Sequence, residues 1–321
     1  MGDHLSHTQK NIIQTNEKQK FLPKLRYELK KNRMVYIMLI PVILFYIIFH
    51  YVPMYGVIIA WKEYMPHLGI FNSPWVGWIN FEAFFGSYYF QRLFRNTFAL
   101  NILDLIFGFP APIILALLLN EVNDGLFKRT VQTVSYLPHF ISNIVIAGML
   151  VDFLSYDGLI NIILSAFGVE KTSWLLKAGS FRTIYVASDI WKTIGWGSIV
   201  YLASLSNIDL ELYNAAIVDG ANRFQRALHI TIPGILPTVV IMLILRLGNM
   251  SSIGPEKIIL IYNPLTFETS DVISTFVYRR GILQQDYSFS TAVGLFNSVV
   301  NIIFLVAANT MSRRVTETSL W

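Results

Sequence analysis

Six long apolar segments constrain this chain more than any other feature of its sequence. Each has about the 20 residues that an α-helix needs to cross the roughly 30 Å of a bilayer core. Inside a bilayer every backbone amide needs an internal partner, so such segments fold as helices rather than as loops or open strands. The predicted spans are Met34–Val52, Asn96–Asn120, Val131–Leu154, Thr183–Leu205, Ile235–Ile253 and Phe289–Met311.

The composition also indicates a helical membrane protein. Hydrophobic residues make up 54% and charged residues only 14% of the 321 residues, and the mean hydropathy is +0.50. A soluble domain carries about 25% charged residues, so the surplus apolar surface must face lipid. The alternating strand-length segments of an outer-membrane barrel are absent from the sequence. We therefore predict an all-α membrane protein with six transmembrane helices in the cytoplasmic (inner) membrane.

The basic residues indicate an orientation. Eight of the 25 Lys and Arg residues precede the first span. With the N-terminus inside, the inside segments hold 14 basic residues in 82 positions, and the outside segments hold 9 in 106. Since cytoplasmic segments carry the excess of Lys and Arg, both termini are predicted to lie inside. The basic stretch is typical of a retained signal anchor and is expected to attract anionic lipid rather than nucleic acid.

The segments around the spans divide the chain. We predict a basic cytoplasmic segment over residues 1–33, a transmembrane domain over residues 34–311 and a cytoplasmic tail over residues 312–321. The aromatic outer segment 61–94 indicates either an interfacial belt or a surface that binds an external protein or sugar rings. Gly158–Gly168 is too short to span and is predicted to be an interfacial or re-entrant helix.

Prolines lie inside several predicted spans. A proline removes a helix donor and bends the helix, so bends are expected at Pro41, Pro110, Pro112 and Pro138. Bent helices leave room for a cavity, although proline is also simply commoner in membrane helices.

The segment between the fourth and fifth spans has the signals of an ordered helix–turn–helix loop. Asp209 is suited to cap a helix, and Glu211 in the first turn interacts favourably with the helix dipole. Gly220 is placed to end that helix in a left-handed conformation that costs other residues energy. A second helix then starts at Arg223, and Pro233 is predicted to end it before the fifth span. Such a loop is either a docking element or an ordinary helical hairpin.

This loop resembles the EAA loop of the integral membrane subunits of ATP-binding-cassette importers. The family pattern is Glu-Ala-Ala, three residues, a glycine, and then nine residues that lead to Ile-x-Leu-Pro. This chain has Asn214, Ala215 and Ala216, then Gly220, and then Ile230–Pro233. Asparagine in place of the usual glutamate implies the loss of a charged contact with the ATPase.

Further segments resemble the branch of the family that takes up carbohydrates, in particular oligosaccharides and polysaccharide fragments. The resemblance covers roughly residues 30–315, which is nearly the whole chain. The segments that carry it are Asp209–Tyr213, Asp219–Ala221, Phe109–Glu121 and Tyr136–Ser142.

The resemblance implies the type I importer permease fold, a MetI-like bundle, with its core over about residues 96–311 and a coupling loop over residues 206–237. The loop would sit in a groove of a separate ATPase that binds ATP and Mg²⁺ and drives alternating access. Implied partners are a second homologous permease subunit, two ATPase subunits, an extracytoplasmic solute-binding protein, a sugar and membrane lipid. The residues expected to couple the two proteins are Glu211, which could replace the lost glutamate, Asn214, Ala215, Ala216, Asp219, Gly220, Ala221, Arg223 and Pro233.

Charged residues inside the predicted spans are candidates for a transport pathway, because such charges usually face the bundle interior or water. Asp189 and Lys192 are three residues apart, so they share a helix face and could pair. With Trp196 they form either a wall for sugar hydroxyls and ring faces or a structural ion pair. Arg246 and Asn249 on the fifth span are better candidates, because Arg246 has no partner in its own helix and could contact an acidic sugar.

Other functions stay open at this stage. The same architecture could import peptides, amino acids or ions. A membrane glycosyltransferase would need clustered carboxylates or metal ligands at a membrane face, and a channel would need a repeated filter-like segment. We expect no enzyme activity, cofactor or metal in this chain, since it has no cysteine, its six histidines are scattered, and it lacks the Gly-Lys dipeptide of a phosphate-binding loop.

Overall fold

The computed structural model describes residue 27 and residues 30–316. Most of the predicted N-terminal segment 1–33, and half of the predicted tail 312–321, lie outside the described residues. The chain divides between Ile58 and Ile59 into two units.

The first unit consists, in its described part, almost entirely of a single helix. This helix, α1, runs over Arg33–Trp61 and so extends a few residues into the second unit. It contains Pro41 in its interior and a π-helical stretch at Ile47–Tyr51. Its side chains before Tyr55 are exposed, which suits a helix whose surroundings are lipid. The first predicted span is therefore confirmed as a helix.

The described residues of the second unit form the short helices Gly69–Asn72 and Ile79–Phe85 and, after them, ten helices that are labelled in chain order. They are α2 (Tyr88–Glu121), α3 (Leu126–Phe140), α4 (Asn143–Phe153), α5 (Leu159–Ala166), α6 (Ala178–Leu205), α7 (Leu210–Val218), α8 (Arg223–Leu247), α9 (Pro255–Ile261), α10 (Ile273–Val277) and α11 (Tyr287–Thr316).

Four helices in the described part of the chain are long and apolar enough to cross a membrane. They are α1, α2, α8 and α11, and a fifth is counted if α3 and α4 together make one bent span. Helix α6 has 28 residues but is not among them; it carries Asp189 and Lys192 in its interior. The short helix predicted between Gly158 and Gly168 is present as α5.

The third predicted span, Val131–Leu154, is wrong as a single helix. The chain instead forms α3 and α4, which are bent by 100° at the break between Phe140 and Asn143. Ile141 is extended, and Ser142 caps the new helix by accepting a hydrogen bond from the Val145 amide at 3.3 Å. Serine is a favoured cap because its hydroxyl replaces a missing backbone acceptor. A bend was expected at Pro138, but the continuous hydropathy of the segment does not indicate that the helix breaks a few residues later.

The fifth predicted span is displaced, and Pro233 does not end a helix. Helix α8 starts at Arg223, well before the predicted Ile235, and ends at Leu247. A π-helical stretch at Ala227–Thr231 ends just before Ile232, where an α-helical stretch begins. The ring of Pro233 therefore lies in the first turn of that α-helical stretch. There the missing amide of proline costs little, because the first amides of a helical stretch need no partner within it.

Helix α6 lies at the centre of the second unit and packs against α2, α3 and α8. At one end Tyr201 and Leu205 of α6 are buried with Ala116 of α2 and Ile235 of α8. Towards the other end Phe181 is fully buried in a cluster that includes residues of α2, α4 and α9. These contacts hold α6 against α2 at both ends and against α8 at one end.

A buried carboxylate joins α2 to the segment around α10. The side chain of Asp271 is fully buried and accepts hydrogen bonds from Arg92 Nη2 at 3.0 Å and Arg279 Nη2 at 2.8 Å. Thr275 Oγ1 donates to the same carboxylate at 3.0 Å, and the backbone carbonyl of Asp271 accepts from Asn96 Nδ2. The carboxylate thus joins α2 to the segment around α10, and its removal would leave two half-buried arginines without a counter-charge.

We predict that Asp271→Asn destabilises the protein far more than Asp157→Asn. Removing one partner of a buried ion pair costs about 3–5 kcal/mol. The Asp157–Lys171 pair is a matched control, because Asp157 is 81% exposed and such pairs contribute at most about 1 kcal/mol. The measurement is the midpoint of thermal denaturation in detergent. Equal shifts for the two variants would contradict the structural role of Asp271.

Candidate functional site: an exposed loop and a polar bundle interior

The loop between α6 and α8 is ordered by caps at both ends of α7. Asp209 accepts a hydrogen bond from the Glu211 amide at 2.9 Å. At the other end Gly220 has φ +79°. Its amide donates to the Ile217 carbonyl at 3.0 Å, and the Ala221 amide donates to the Ala216 carbonyl at 2.9 Å. This pair of bonds is a Schellman closure, which requires the left-handed residue that glycine supplies.

The start of α8 is capped as well, and a side-chain contact connects it to α7. Asn222 and Gln225 form a reciprocal capping box, with hydrogen bonds of 2.8 and 2.9 Å. The hydroxyl of Tyr213 on α7 lies 3.0 Å from that of Thr231 in the π-helical stretch of α8. The loop is therefore held against the first turns of a long helix.

The outer surface of this loop is exposed and partly apolar. Val218 is 87%, Phe224 76% and Leu210 74% exposed. Large apolar side chains in such a position are a mark of a surface that another protein covers. The predicted coupling residues Glu211, Asn214, Ala215, Asp219, Gly220 and Arg223 are exposed in the same loop, whereas Ala216 and Ala221 are half-buried. Pro233 lies in α8, beyond this surface.

The bundle interior contains an ion pair that joins α2 to α8. Arg246, in the last turn of α8, binds the carboxylate of Asp104 on α2. Asp104 is buried, whereas the Arg246 side chain is about half exposed. The sequence indicated Arg246 as a charge without a partner in its own helix, and its partner Asp104 emerges only from the tertiary fold because the two residues are on different helices.

Two cavities lie on either side of this pair. The first has a volume of about 150 Å³ and is lined by Asp104, Tyr185 and Asp189 among others. The second has a volume of about 400 Å³ and is lined by Pro112 and Tyr201 among others. Arg246 and Asn249, both predicted pathway residues, line both cavities. The second cavity is in the range of about 300–1,000 Å³ that is usual for small-molecule sites.

The predicted pairing of Asp189 with Lys192 is wrong. Asp189 lies 3.5 Å from Lys257 of α9, whose ammonium also donates to the Tyr185 carbonyl at 3.0 Å. Lys192 instead donates to Asn143 Oδ1 at 2.5 Å. Asp189 and Lys192 share a helix face, but each binds a partner on another helix, namely α9 for Asp189 and α4 for Lys192. No local signal indicated Lys257, because it follows the fifth span and was assigned to an outer segment.

The ring of Trp196 does not line either of these cavities. It stacks on His139 with a centroid distance of 4.5 Å and an angle of 2° between the rings. Phe140 meets it edge-on at 5.5 Å. Trp196 therefore holds the end of α3 against α6, and one of its faces is covered by the imidazole.

Comparison with known proteins assigns the chain to a protein family. The family described as the inner membrane component of binding-protein-dependent transport systems matches residues 108–317. The chain belongs to this family, and it is a transport permease, a multi-pass protein of the inner membrane. The match includes the capped loop, all lining residues of the second cavity and the helices from the second half of α2 onward, whereas Asp104 and the other α2 residues of the first cavity precede it.

Curated relatives extend the match to nearly the whole chain. Protein LplB of Bacillus subtilis (strain 168) is 46% identical over 294 residues, which cover 91% of this chain and 92% of the relative. The polygalacturonan/rhamnogalacturonan transport system permease protein YteP of the same organism is 39% identical and covers 97% and 96%.

Solved structures agree with these relatives. A chain of a bacterial ABC transporter involved in the import of the acidic polysaccharide alginate is 44% identical, with a TM-score of 0.85. The match covers 91% of this chain and 99% of that one. A second structure of the alginate transporter, in complex with a periplasmic protein bound to alginate pentasaccharide, matches with the same TM-score and identity.

Proposed function

We propose that this chain is one of two homologous permease subunits of an ATP-binding-cassette importer for an oligosaccharide or polysaccharide fragment. In this proposal the sugar crosses by alternating access through a six-span bundle, and both termini lie in the cytoplasm. The relatives named for polygalacturonan, rhamnogalacturonan and alginate support this substrate class.

One observation carries the proposal, namely the exposed loop that is capped at both ends. Its apolar residues Leu210, Val218 and Phe224 are exposed, while its backbone is fixed to α8. Exposed apolar side chains contribute no free energy of burial to the membrane protein alone. A partner that covers the loop recovers that free energy. That partner is a cytoplasmic ATPase subunit, which binds ATP and Mg²⁺ and whose closure moves α7 and α8.

The other partners follow from the same class of importer. A solute-binding protein delivers the sugar from outside, as the structure of the alginate transporter with its periplasmic protein supports. Inside the bundle, the hydroxyl groups of the sugar would contact Arg246 and Asn249, which both line the two cavities. Asp189 and Lys192, which are held by other side chains, shape the wall rather than bind the sugar.

The direct test is reconstitution of the complete transporter in proteoliposomes. The complex contains this chain, its sister permease, two ATPase subunits and the binding protein. ATP should drive uptake of a labelled oligosaccharide only when the binding protein is outside. Uptake of peptides or amino acids in place of sugars would reject the substrate class, and full activity without ATPase subunits would reject the mechanism.

We predict that Gly220→Val uncouples the transporter. A residue with a β-carbon pays about 1–2 kcal/mol in the left-handed conformation, so the closure of α7 is weakened. Uptake should fall, and ATPase stimulation by the loaded binding protein should fall with it. The matched control is Gly168→Val, because Gly168 also has a positive φ, of +82°, at the end of α5. Equal losses in both variants would contradict a special role for the loop.

We predict that Asn249→Ala raises the sugar concentration needed for half-maximal uptake by about three- to tenfold, the effect of one lost hydrogen bond. The maximal rate should change little, because the loop and its partner are intact. Ser298→Ala is the control, since that hydroxyl is exposed and donates to the Gly294 carbonyl of its own helix. An unchanged concentration dependence for Asn249→Ala would remove it from the pathway.

A further inference from the structure

The two cavities follow one another along the same three helices. The first cavity takes Leu100 and Asn101 from α2, whereas the second takes Phe109 and Pro112, two to three turns further along. Helix α6 repeats this order, with Asp189 in the first cavity and later residues in the second.

Helix α8 shows the same order in the opposite direction. It gives Met242 to the second cavity, and the non-helical segment after it gives Ser252 and Gly254 to the first. Under the predicted orientation the first cavity is therefore the outer one, and the second is the inner one. Three independent helices agree on this arrangement, so the cavities are consecutive compartments of one route.

The ion pair between Asp104 and Arg246 lies at the boundary between these compartments. Asp104 lines only the first cavity, while Arg246 lines both. The pair connects α2 to α8, and α6 contributes to the wall of each cavity. Any solute that passes from the first cavity to the second must move past this pair.

The backbone around Asp104 is shaped for this contact. Asp104 begins a π-helical stretch that ends at Gly108, and the Phe109 amide donates to the Asp104 carbonyl at 2.9 Å. A β-carbon at Gly108 would overlap the Asp104 carboxylate. Glycine at this position therefore leaves the space in which the carboxylate lies, and π-helical stretches of this kind are frequent at functional sites.

We propose that Asp104 and Arg246 form a salt-bridge barrier across the transport route, and that the sugar opens it by replacing each partner with its own hydroxyl groups. Separating the pair without replacement would leave the buried Asp104 carboxylate without its counter-charge. Neighbouring hydroxyls of a sugar can donate to the carboxylate and accept from the guanidinium at the same time. Asp104 thereby becomes a specificity-determining residue, because an apolar solute offers neither group.

The proposal rests on the proposed transport function for the direction of the route, but its test needs no sugar. The chain has no cysteine, so a single introduced cysteine is the only thiol of this subunit and its labelling has no background. Met242→Cys reports on the inner cavity, and Ser252→Cys reports on the outer one. A small membrane-impermeant thiol reagent is added from outside to the complete transporter in sealed vesicles, and labelling of this subunit is followed by mass spectrometry.

With the pair intact, Ser252→Cys should be labelled and Met242→Cys should be protected. Adding Asp104→Asn should raise the labelling rate of Met242→Cys about tenfold, equivalent to about 1.4 kcal/mol in the opening equilibrium. Arg246→Gln should give the same rise, and Asp104→Glu should keep the protection. Labelling of Ser252→Cys should be unchanged in all of these variants, which shows that the outer cavity is still folded.

The control substitution is Asp152→Asn, which neutralises an exposed carboxylate on α4 outside both cavities. Protection of Met242→Cys that persists in Asp104→Asn and Arg246→Gln would overturn the barrier, as would an equal rise with Asp152→Asn. A loss of sugar uptake with the labelling pattern intact would reject the proposed substrate and leave the barrier standing.

Discussion

The need to satisfy every backbone hydrogen bond within the chain governs this structure. In a bilayer only helices achieve this for a single segment, so irregular backbone is informative wherever it occurs. The π-helical stretch Asp104–Gly108 underlies the ion pair with Arg246, and the stretch Ala227–Thr231 lies in α8 shortly after the capped loop. The non-helical segment after Leu247 lines the first cavity. Two of the π-helical stretches in the described residues therefore lie beside the first cavity and at the capped loop, and others lie in α1 and after α10.

The charges of the bundle obey a parallel constraint, because an unpaired charge in a low dielectric is costly. Asp271 pairs with two arginines, Asp189 with Lys257 and Asp104 with Arg246. The carboxylate of Asp271 is fully buried and structural, whereas the pair of Asp104 with Arg246 borders two cavities and has an accessible guanidinium. The surroundings of these ion pairs, rather than their residue types, distinguish the structural role of Asp271 from the role proposed for Asp104 and Arg246.

The sequence predicted the loop better than the bundle interior, for physical reasons. Caps, left-handed glycines and helix starts depend on a few neighbouring residues, so Asp209 and Gly220 could be assigned correctly. The partner of Asp189 is 68 residues away, and no local pattern specifies which distant helix supplies it. A bend in the third predicted span was expected at Pro138, but the full 100° break just after it was missed, because a hydropathy average over that segment does not register the capping signal of Ser142.

The most direct test of the account is contact between the capped loop and a separate ATPase. Val218 is 87% exposed on α7, and Phe167, at the end of α5 and 81% exposed, is the control. Each is replaced by cysteine, labelled with a photoactivatable probe in native membranes, and irradiated. We expect a covalent product with an ATPase subunit from position 218 and none from position 167. No ATPase product from position 218, or equal yields from both, would contradict it.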